Sequence, residues 1–163
     1  MDKVTQDRIK LLHPKVRDEV TKIIEECNSK LTQHSQVRIV QGLRTIEEQN
    51  ALYAKGRTKP GPKVTNAKGL DSNHVFGIAL DFCLLIDNKE TSWDIKKDYD
   101  QDQKADWFEV IDTFKKYGWS SGSDWRTFKD YPHLEKLFGL TLNQLKQKYL
   151  NKDFITNTKY VNL

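Results

Sequence analysis

The sequence predicts one small α+β domain, because helical and strand patterns alternate along its 163 residues. Residues 14–31 place apolar side chains at the three- and four-residue spacing of a single helix face. Residues 36–41 (QVRIVQ) are rich in β-branched side chains, which predicts a short strand. Residues 75–86 (VFGIALDFCLLI) form an apolar run with the length of a buried strand.

The segment after the first strand predicts a helix followed by a long loop. Thr45 and Glu48 have the spacing of a capping box, so a helix is expected to begin here, and Gly56 is a natural stop. Residues 57–73 then contain glycines, prolines and several lysines. Loops of this length without regular structure are usually functional or disordered.

The second half of the chain predicts two more helices with irregular segments between them. Residues 87–103 are polar and acidic, which predicts an exposed segment. A helix is expected over residues 104–117 and ends at Gly118. Residues 118–135 have the composition of short strands and turns, and a last helix begins near Thr141.

The composition fits a folded protein that needs no covalent support. Apolar residues make up 37% and charged residues 31%, and a chain of this length can bury a core without disulfides. Cys27 and Cys83 are isolated apolar-face residues, so neither a disulfide framework nor a paired-cysteine zinc site is expected. The net charge of +4 suits an anionic partner, but charge alone bears on association and not on fold.

The N-terminal stretch MDKVTQDRIKLLHPKV lacks the apolar core of a signal peptide, and no segment has the length of a membrane span. The protein is therefore expected in the cytoplasm at synthesis, without membrane insertion. A substrate outside the cytoplasm would require another factor to release the protein.

Two of the four histidines lie in stretches that are dense in carboxylates and turn residues. His74, Asp81 and His133 would form the three-ligand set of His and carboxylate that catalytic zinc sites use. Asp81 interrupts an apolar strand, and a buried carboxylate needs a partner. That partner could equally be a metal ion or an arginine, and the spacing alone leaves both open.

Two sequence motifs resemble those of a known family. The segment SNHVFGIALD (residues 72–81) matches S-x-H-x-x-G-x-A-x-D, and DYPH (residues 130–133) matches a later D-x-P-H. Together they resemble the zinc peptidases of the D-alanyl-D-alanine carboxypeptidase and L-alanyl-D-glutamate endopeptidase group. Residues 41–69 are similar to the bacteriophage endolysins of the L-alanyl-D-glutamate peptidase type. The likeness covers residues 12–135.

The resemblance implies roles for particular residues. It implies Zn²⁺ held by His74, Asp81 and His133, with Asp130 as the general base. It also places Arg44 near the carbonyl of the substrate, where a fixed positive charge stabilises a developing oxyanion.

Other residues have less specific expectations. Ser72 is expected around the metal site, and Ser72, Trp125 and Arg57 are expected to contact substrate. Glu135 is a rival for the general base, because it lies two residues from His133 and shares its strand face.

The resemblance further implies an architecture, a partner and a setting. The expected fold is hedgehog/D-Ala-D-Ala-peptidase-like, with an antiparallel sheet packed by helices. Many members of the family carry a separate cell-wall-binding domain, but the patterns along residues 1–163 predict one catalytic domain without it. The expected partner is bacterial peptidoglycan and not nucleic acid, and the protein is expected to be a monomer released to the wall through a holin.

The sequence therefore predicts a zinc peptidase that cuts peptidoglycan stem peptides between L-alanine and D-glutamate, acting as a phage or prophage endolysin. A D,D- or L,D-carboxypeptidase with the same metal ligands is one alternative. A non-catalytic, zinc-stabilised wall-binding module is another, and a protein that binds no metal is a third.

Overall fold

The computed structural model describes residues 1–32 and 34–163, and in this part of the chain the predicted α+β architecture is confirmed. The helices are α1 (Lys3–Leu11), α2 (Pro14–Lys30), α3 (Ile46–Ala54), α4 (Asp106–Lys116) and α5 (Leu142–Leu150). The strands are β1 (Ser35–Gln41), β2 (Ala79–Ile86), β3 (Glu90–Ser92), β4 (Ser120–Ser121) and β5 (His133–Glu135).

Strand β2 is the centre of an antiparallel sheet. It pairs with β1 along one side, and with β5 and β3 along the other, while β4 pairs with β5. Asp81 lies opposite Gln41 on β1 and opposite His133 on β5. The register of the sheet therefore brings together two of the residues that the sequence motifs single out, although they are far apart in the chain.

The main core lies between the sheet and the helices. Helix α2 contacts α1, α4 and β1. The predicted apolar face of α2 is buried throughout, at Val16, Val20, Ile23, Ile24 and Cys27. Burial raises the pKa of the Cys27 thiol to about 12, so this cysteine is an inert part of the core.

The structure differs from the sequence prediction in the N-terminal helix and in the start of the buried strand. Helix α1 was not predicted, because it buries only Thr5 and Ile9, too few side chains to give a helical period. The buried strand begins at Ala79, four residues later than predicted, since residues 73–76 form a 3₁₀ turn. Gly77 ends that turn with φ of +71°, which favours glycine.

The predicted helix starts at the capping boxes are confirmed. The Glu48 amide donates to the Thr45 hydroxyl at 3.1 Å, and the Thr45 amide donates to the Glu48 carboxylate at 2.7 Å. The polar segment after β2 is exposed for most of its length, as predicted, but it also contains strand β3. No helix among the described residues combines the length and the hydropathy needed to cross a bilayer.

The buried His13 ties the N-terminal helices to the end of the chain. Its Nε2–H donates to the Val161 carbonyl at 2.9 Å, and its Nδ1 accepts from the Lys15 amide at 3.2 Å. The bond that Nδ1 accepts requires the neutral imidazole. Burial, with the positive charges of Lys15 and Arg17, holds the pKa of His13 below its usual value.

Acidification is expected to destabilise the protein through His13. The pKa of His13 is lower in the folded state than in the unfolded chain, where it is near 6.5. The stability that comes from this difference is therefore complete above that pH and is lost as the pH falls below it. His13 contributes at most about 1.4 kcal/mol per pH unit to the slope of the unfolding free energy against pH. Denaturant unfolding of the wild type and His13→Asn between pH 7.5 and 5 measures the difference. Equal slopes for the two proteins would contradict the expectation.

Candidate active site

Three different elements converge on one point of the structure. His74 lies in the 3₁₀ turn, Asp81 lies on β2, and His133 lies on β5. His74 Nε2 is 3.3 Å from Asp81 Oδ1, and His133 Nδ1 is 3.2 Å from the same oxygen. One possible ligand atom from each residue lies within 4.8 Å of the other two, so the group could hold a metal ion.

Each imidazole is held through the ring nitrogen that points away from Asp81. His74 Nδ1–H donates to the Gly42 carbonyl at 2.9 Å. His133 Nε2–H donates to Glu135 Oε2 at 3.0 Å. Such outer hydrogen bonds fix the tautomer and the orientation of a metal-binding histidine. The nitrogens that remain, Nε2 of His74 and Nδ1 of His133, both face Asp81.

The carboxylate of Asp81 and the neighbouring histidines stabilise each other's charged forms. Burial disfavours the carboxylate of Asp81, but the neighbouring histidines outweigh this effect and hold its pKa well below the usual range. Burial likewise disfavours a charged His133, yet the hydrogen bonds to Asp81 and Glu135 raise its pKa to about 9. The site is therefore organised to hold positive charge next to Asp81.

Asp130 lines the same cavity as these three residues. Its backbone is fixed at both ends: its amide donates to the Gly122 carbonyl at 3.0 Å, and its carbonyl accepts from the His133 amide at 3.2 Å. Burial, together with the negative charge of Asp81, raises the pKa of the Asp130 carboxyl. A carboxylate with a raised pKa is a stronger proton acceptor than an exposed one.

Arg44 brings a positive charge to the same cleft. Its side chain is 11% exposed, and its Nη2 lies 3.8 Å from Asp81 Oδ2. Its Nη1 donates to Gln49 Oε1 at 2.7 Å. The Nε–H is buried and has no hydrogen-bond partner among the described residues. The guanidinium has five N–H donors, so the bond to Gln49 leaves donors for another group.

Gln49 and Gly122 support the site and were not predicted as functional. Gln49 is fully buried on α3, where it accepts from Arg44 and donates to the Ala67 carbonyl at 2.7 Å. Its signal in the sequence is a polar residue on the same helix face as Ile46, Leu52 and Tyr53. A Cβ on Gly122 would lie 2.4 Å from the Asp130 carbonyl oxygen and 3.1 Å from His133 Cβ. Spacing along the chain gives no hint of that contact.

An open cleft of about 1050 Å³ surrounds the group. The predicted substrate contacts Ser72 and Trp125 both line this cleft. The Trp125 ring is 5.1 Å from the His133 ring, and the residue is 39% exposed. The other lining residues are Arg44, Leu52, Lys63, Val64, Thr65, Asn66, Ala67, Asp71, Asn73, His74, Asp81, Phe128, Lys129, Asp130, His133 and Glu135.

Arg57 lies outside the lining of the cleft. Its guanidinium donates to the carbonyls of Tyr53 at 2.7 Å and Thr65 at 3.0 Å, and it lies over the Tyr53 ring. These contacts connect the end of α3 to the following loop. Substrate binding by Arg57 stays a prediction that this geometry does not favour.

Two further groups of carboxylates lie close together among the described residues, both around the start of α4. They are Asp98 with Asp100 and Asp106, and Asp100 with Asp102 and Glu109. Neither group contains a histidine, and neither contributes a residue to the cleft.

The fold and the site resemble one class of proteins, the peptidases related to D-alanyl-D-alanine carboxypeptidase. Residues 65–136 match the sequence model of a family described as D-alanyl-D-alanine carboxypeptidase. This segment contains the 3₁₀ turn, β2 and β5, and therefore His74, Asp81, Asp130 and His133. The resemblance expected from the two motifs is thus confirmed.

One relative is the peptidoglycan L-alanyl-D-glutamate endopeptidase CwlK of Bacillus subtilis (strain 168). The two sequences are 46% identical over 101 residues, which are 62% of this chain and 60% of CwlK. The similarity therefore spans about three fifths of the length of each protein.

Two solved structures share the fold. The L-Ala D-Glu endopeptidase ChiX of Serratia marcescens superposes with a TM-score of 0.55 at 18% identity, over 88% of this chain and 91% of ChiX. The vancomycin resistance D,D-dipeptidase VanXYg, solved with a D-Ala-D-Ala phosphinate analogue, has a TM-score of 0.52 at 20% identity. That match covers 90% of this chain and 61% of VanXYg, and at these identities both comparisons establish the architecture.

Proposed function

We propose that this protein is a zinc peptidase that hydrolyses the L-alanyl-D-glutamate bond of peptidoglycan stem peptides. The observation that carries the proposal is the convergence of His74, Asp81 and His133 beside Asp130 in an open cleft. The relative CwlK, which is named for this activity, supports the choice of bond.

The chemistry of the three residues fits zinc. Two imidazole nitrogens and one carboxylate oxygen are the ligand types of a catalytic zinc site with an open fourth position. The outer nitrogens of both histidines are already engaged by Gly42 and Glu135. We therefore assign His74 Nε2, Asp81 and His133 Nδ1 as the ligands. Zinc supplies a Lewis acid at this position, which polarises the scissile carbonyl and acidifies a water molecule.

Asp130 and Arg44 have the positions that the remaining chemistry needs. The raised pKa of Asp130 suits it to accept a proton from the attacking water and to deliver one to the leaving amine. Arg44 stays charged beside Asp81 and lines the cleft. We assign Arg44 to the stabilisation of negative charge on the carbonyl oxygen during attack.

Cationic side chains that suit an acidic peptide line the cleft, together with the four carboxylates of Asp71, Asp81, Asp130 and Glu135. Three cationic side chains, Arg44, Lys63 and Lys129, contribute to its lining. A stem peptide with D-glutamate presents carboxylates near the scissile bond, and cations in a cleft attract such a substrate. Ser72 and Trp125, which lie at the same cleft, are the proposed substrate contacts.

Digestion of purified peptidoglycan tests the proposal. We expect new N-terminal glutamate in the products, found by end-group labelling and mass spectrometry. A chelator is expected to abolish its release, and added zinc to restore it. Release of free D-alanine alone would identify a D,D- or L,D-carboxypeptidase. Zinc binding without cleavage of any peptidoglycan would identify a wall-binding module.

We further propose that the protein acts as a monomeric phage or prophage endolysin. The similarity of residues 41–69 to that subgroup supports this setting. Expression in a bacterial cytoplasm is expected to be tolerated until a holin is co-expressed, and rapid lysis is expected afterwards. Lysis at the same rate without the holin would contradict the proposed route to the wall.

A further inference from the structure

A second carboxylate lies directly behind His133. Glu135 is on β5, two residues after His133, so both side chains point to the same face of the sheet. Glu135 Oε2 accepts from His133 Nε2–H at 3.0 Å and from Asn73 Nδ2 at 2.7 Å. The Glu135 side chain is 13% exposed, so these bonds are largely shielded from water.

We propose that Glu135 is a positioning residue, which with Asn73 holds His133 in the Nε2–H tautomer and directs Nδ1 to the metal. The inference rests on the proposed metal site. It assigns Glu135 no contact with substrate and no proton transfer.

The two histidines of the site are held by different kinds of acceptor. His74 donates to a neutral carbonyl, that of Gly42, whereas His133 donates to a carboxylate. A carboxylate acceptor draws the imidazole proton more strongly, which makes the opposite nitrogen a better electron donor. His133 therefore lies between two carboxylates, Asp81 at Nδ1 and Glu135 at Nε2. We expect its bond to a cation to depend on Glu135 more than the bond of His74 depends on Gly42.

Asn73 fixes the carboxylate in turn. It lies in the same 3₁₀ turn as His74, and its amide reaches across to β5 to bond Glu135. The turn that carries His74 thus also orients Glu135, which holds His133. The same contacts bear on the general base: Asp130 and Glu135 both line the cleft, but Glu135 Oε2 already accepts from two donors.

The test compares metal affinity with activity at full metal occupancy. Zinc dissociation constants are measured by chelator competition for the wild type, Glu135→Ala and Glu135→Gln. We expect Glu135→Ala to weaken binding by about 10- to 100-fold. We expect a smaller loss for Glu135→Gln, because its amide oxygen still accepts from His133 but carries no charge. Glu90→Ala, which removes an exposed glutamate on β3, is the matched control and is expected to bind zinc as the wild type does.

Three outcomes are decisive. Weaker zinc binding in Glu135→Ala, with hydrolysis largely recovered at saturating zinc and an unchanged pH profile, supports the positioning role. Unchanged affinity with hydrolysis lost at full occupancy would make Glu135 the general base and overturn the inference. Unchanged affinity and unchanged hydrolysis would overturn it as well.

Two further measurements separate this inference from the proposed function. Ring-nitrogen NMR of the metal-free protein at alkaline pH, where the His133 imidazole is neutral, should show the Nε2–H tautomer in the wild type and a mixture in Glu135→Ala. Glu135→Gln keeps the test available if the alanine variant does not fold. A wild type that binds no zinc would overturn the proposed function itself. A wild type that binds zinc equally well with and without Glu135 would overturn only the inference.

Discussion

Asp130→Asn is expected to lower the rate of peptidoglycan hydrolysis by roughly 10²- to 10⁴-fold, the usual contribution of a general base. Asparagine keeps the size of the side chain but cannot take a proton from water. Asp130 is not in the group of three residues that could hold a metal, so zinc content is expected to stay at the wild-type level. Release of N-terminal glutamate and metal analysis of the same preparation provide the two measurements.

The control for this variant is Asp124→Asn. Asp124 is a nearby exposed aspartate that pairs with Lys115 on the surface and does not line the cleft. We expect it to hydrolyse peptidoglycan at the wild-type rate. An Asp130→Asn protein with full zinc and hydrolysis within tenfold of the wild type would remove Asp130 from the mechanism.

Gly122→Ala is expected to damage both the stability and the activity of the protein. The added Cβ would meet the Asp130 carbonyl oxygen at 2.4 Å, Asp130 Cβ at 3.0 Å and His133 Cβ at 3.1 Å. The closest of these is a backbone atom, which cannot rotate away, so the segment that carries Asp130 and His133 must move. Overpacking of this kind costs about 1–3 kcal/mol. A shift of about 1 Å in catalytic groups can cost on the order of 10²-fold in rate.

Gly118→Ala separates the two effects of Gly122→Ala. Gly118 has φ of +78°, so alanine is strained there by about 1–2 kcal/mol, but a Cβ would meet no atom within 4 Å. We expect this control to lose stability without losing hydrolysis per folded molecule. Denaturant unfolding and peptide release are measured on both variants. Wild-type hydrolysis by folded Gly122→Ala would show that the close approach does not position the site.

The candidate site was predictable where its residue types follow one another in short motifs. His74, Asp81, Asp130 and His133 stand in two such motifs, and the structure brings all four to one cleft. Their roles as ligands and base remain predictions, but their proximity is a finding. Arg57 shows the limit of this approach, because an arginine in a loop near the motifs bonds backbone carbonyls outside the cleft.

The sequence alone determined the local elements and predicted the kind of chemistry. Helix periodicity, capping boxes and an apolar strand run are encoded within a few residues, so they can be read without knowing the fold. Helix α1 was not predicted because it buries too few side chains to give a helical period.

Only the tertiary structure decided how the parts of the site support one another. The pairing of β2 with β5 sets Asp81 against His133, and the same pairing places Glu135 behind that histidine, within reach of Asn73. The need for glycine at position 122 arises from a segment eight residues further along the chain. These contacts join residues that are distant in the chain or whose local sequence carries no pattern, so no local rule encodes them. The supporting contacts of Glu135, Asn73 and Gly122 form only when the strands of the sheet have paired.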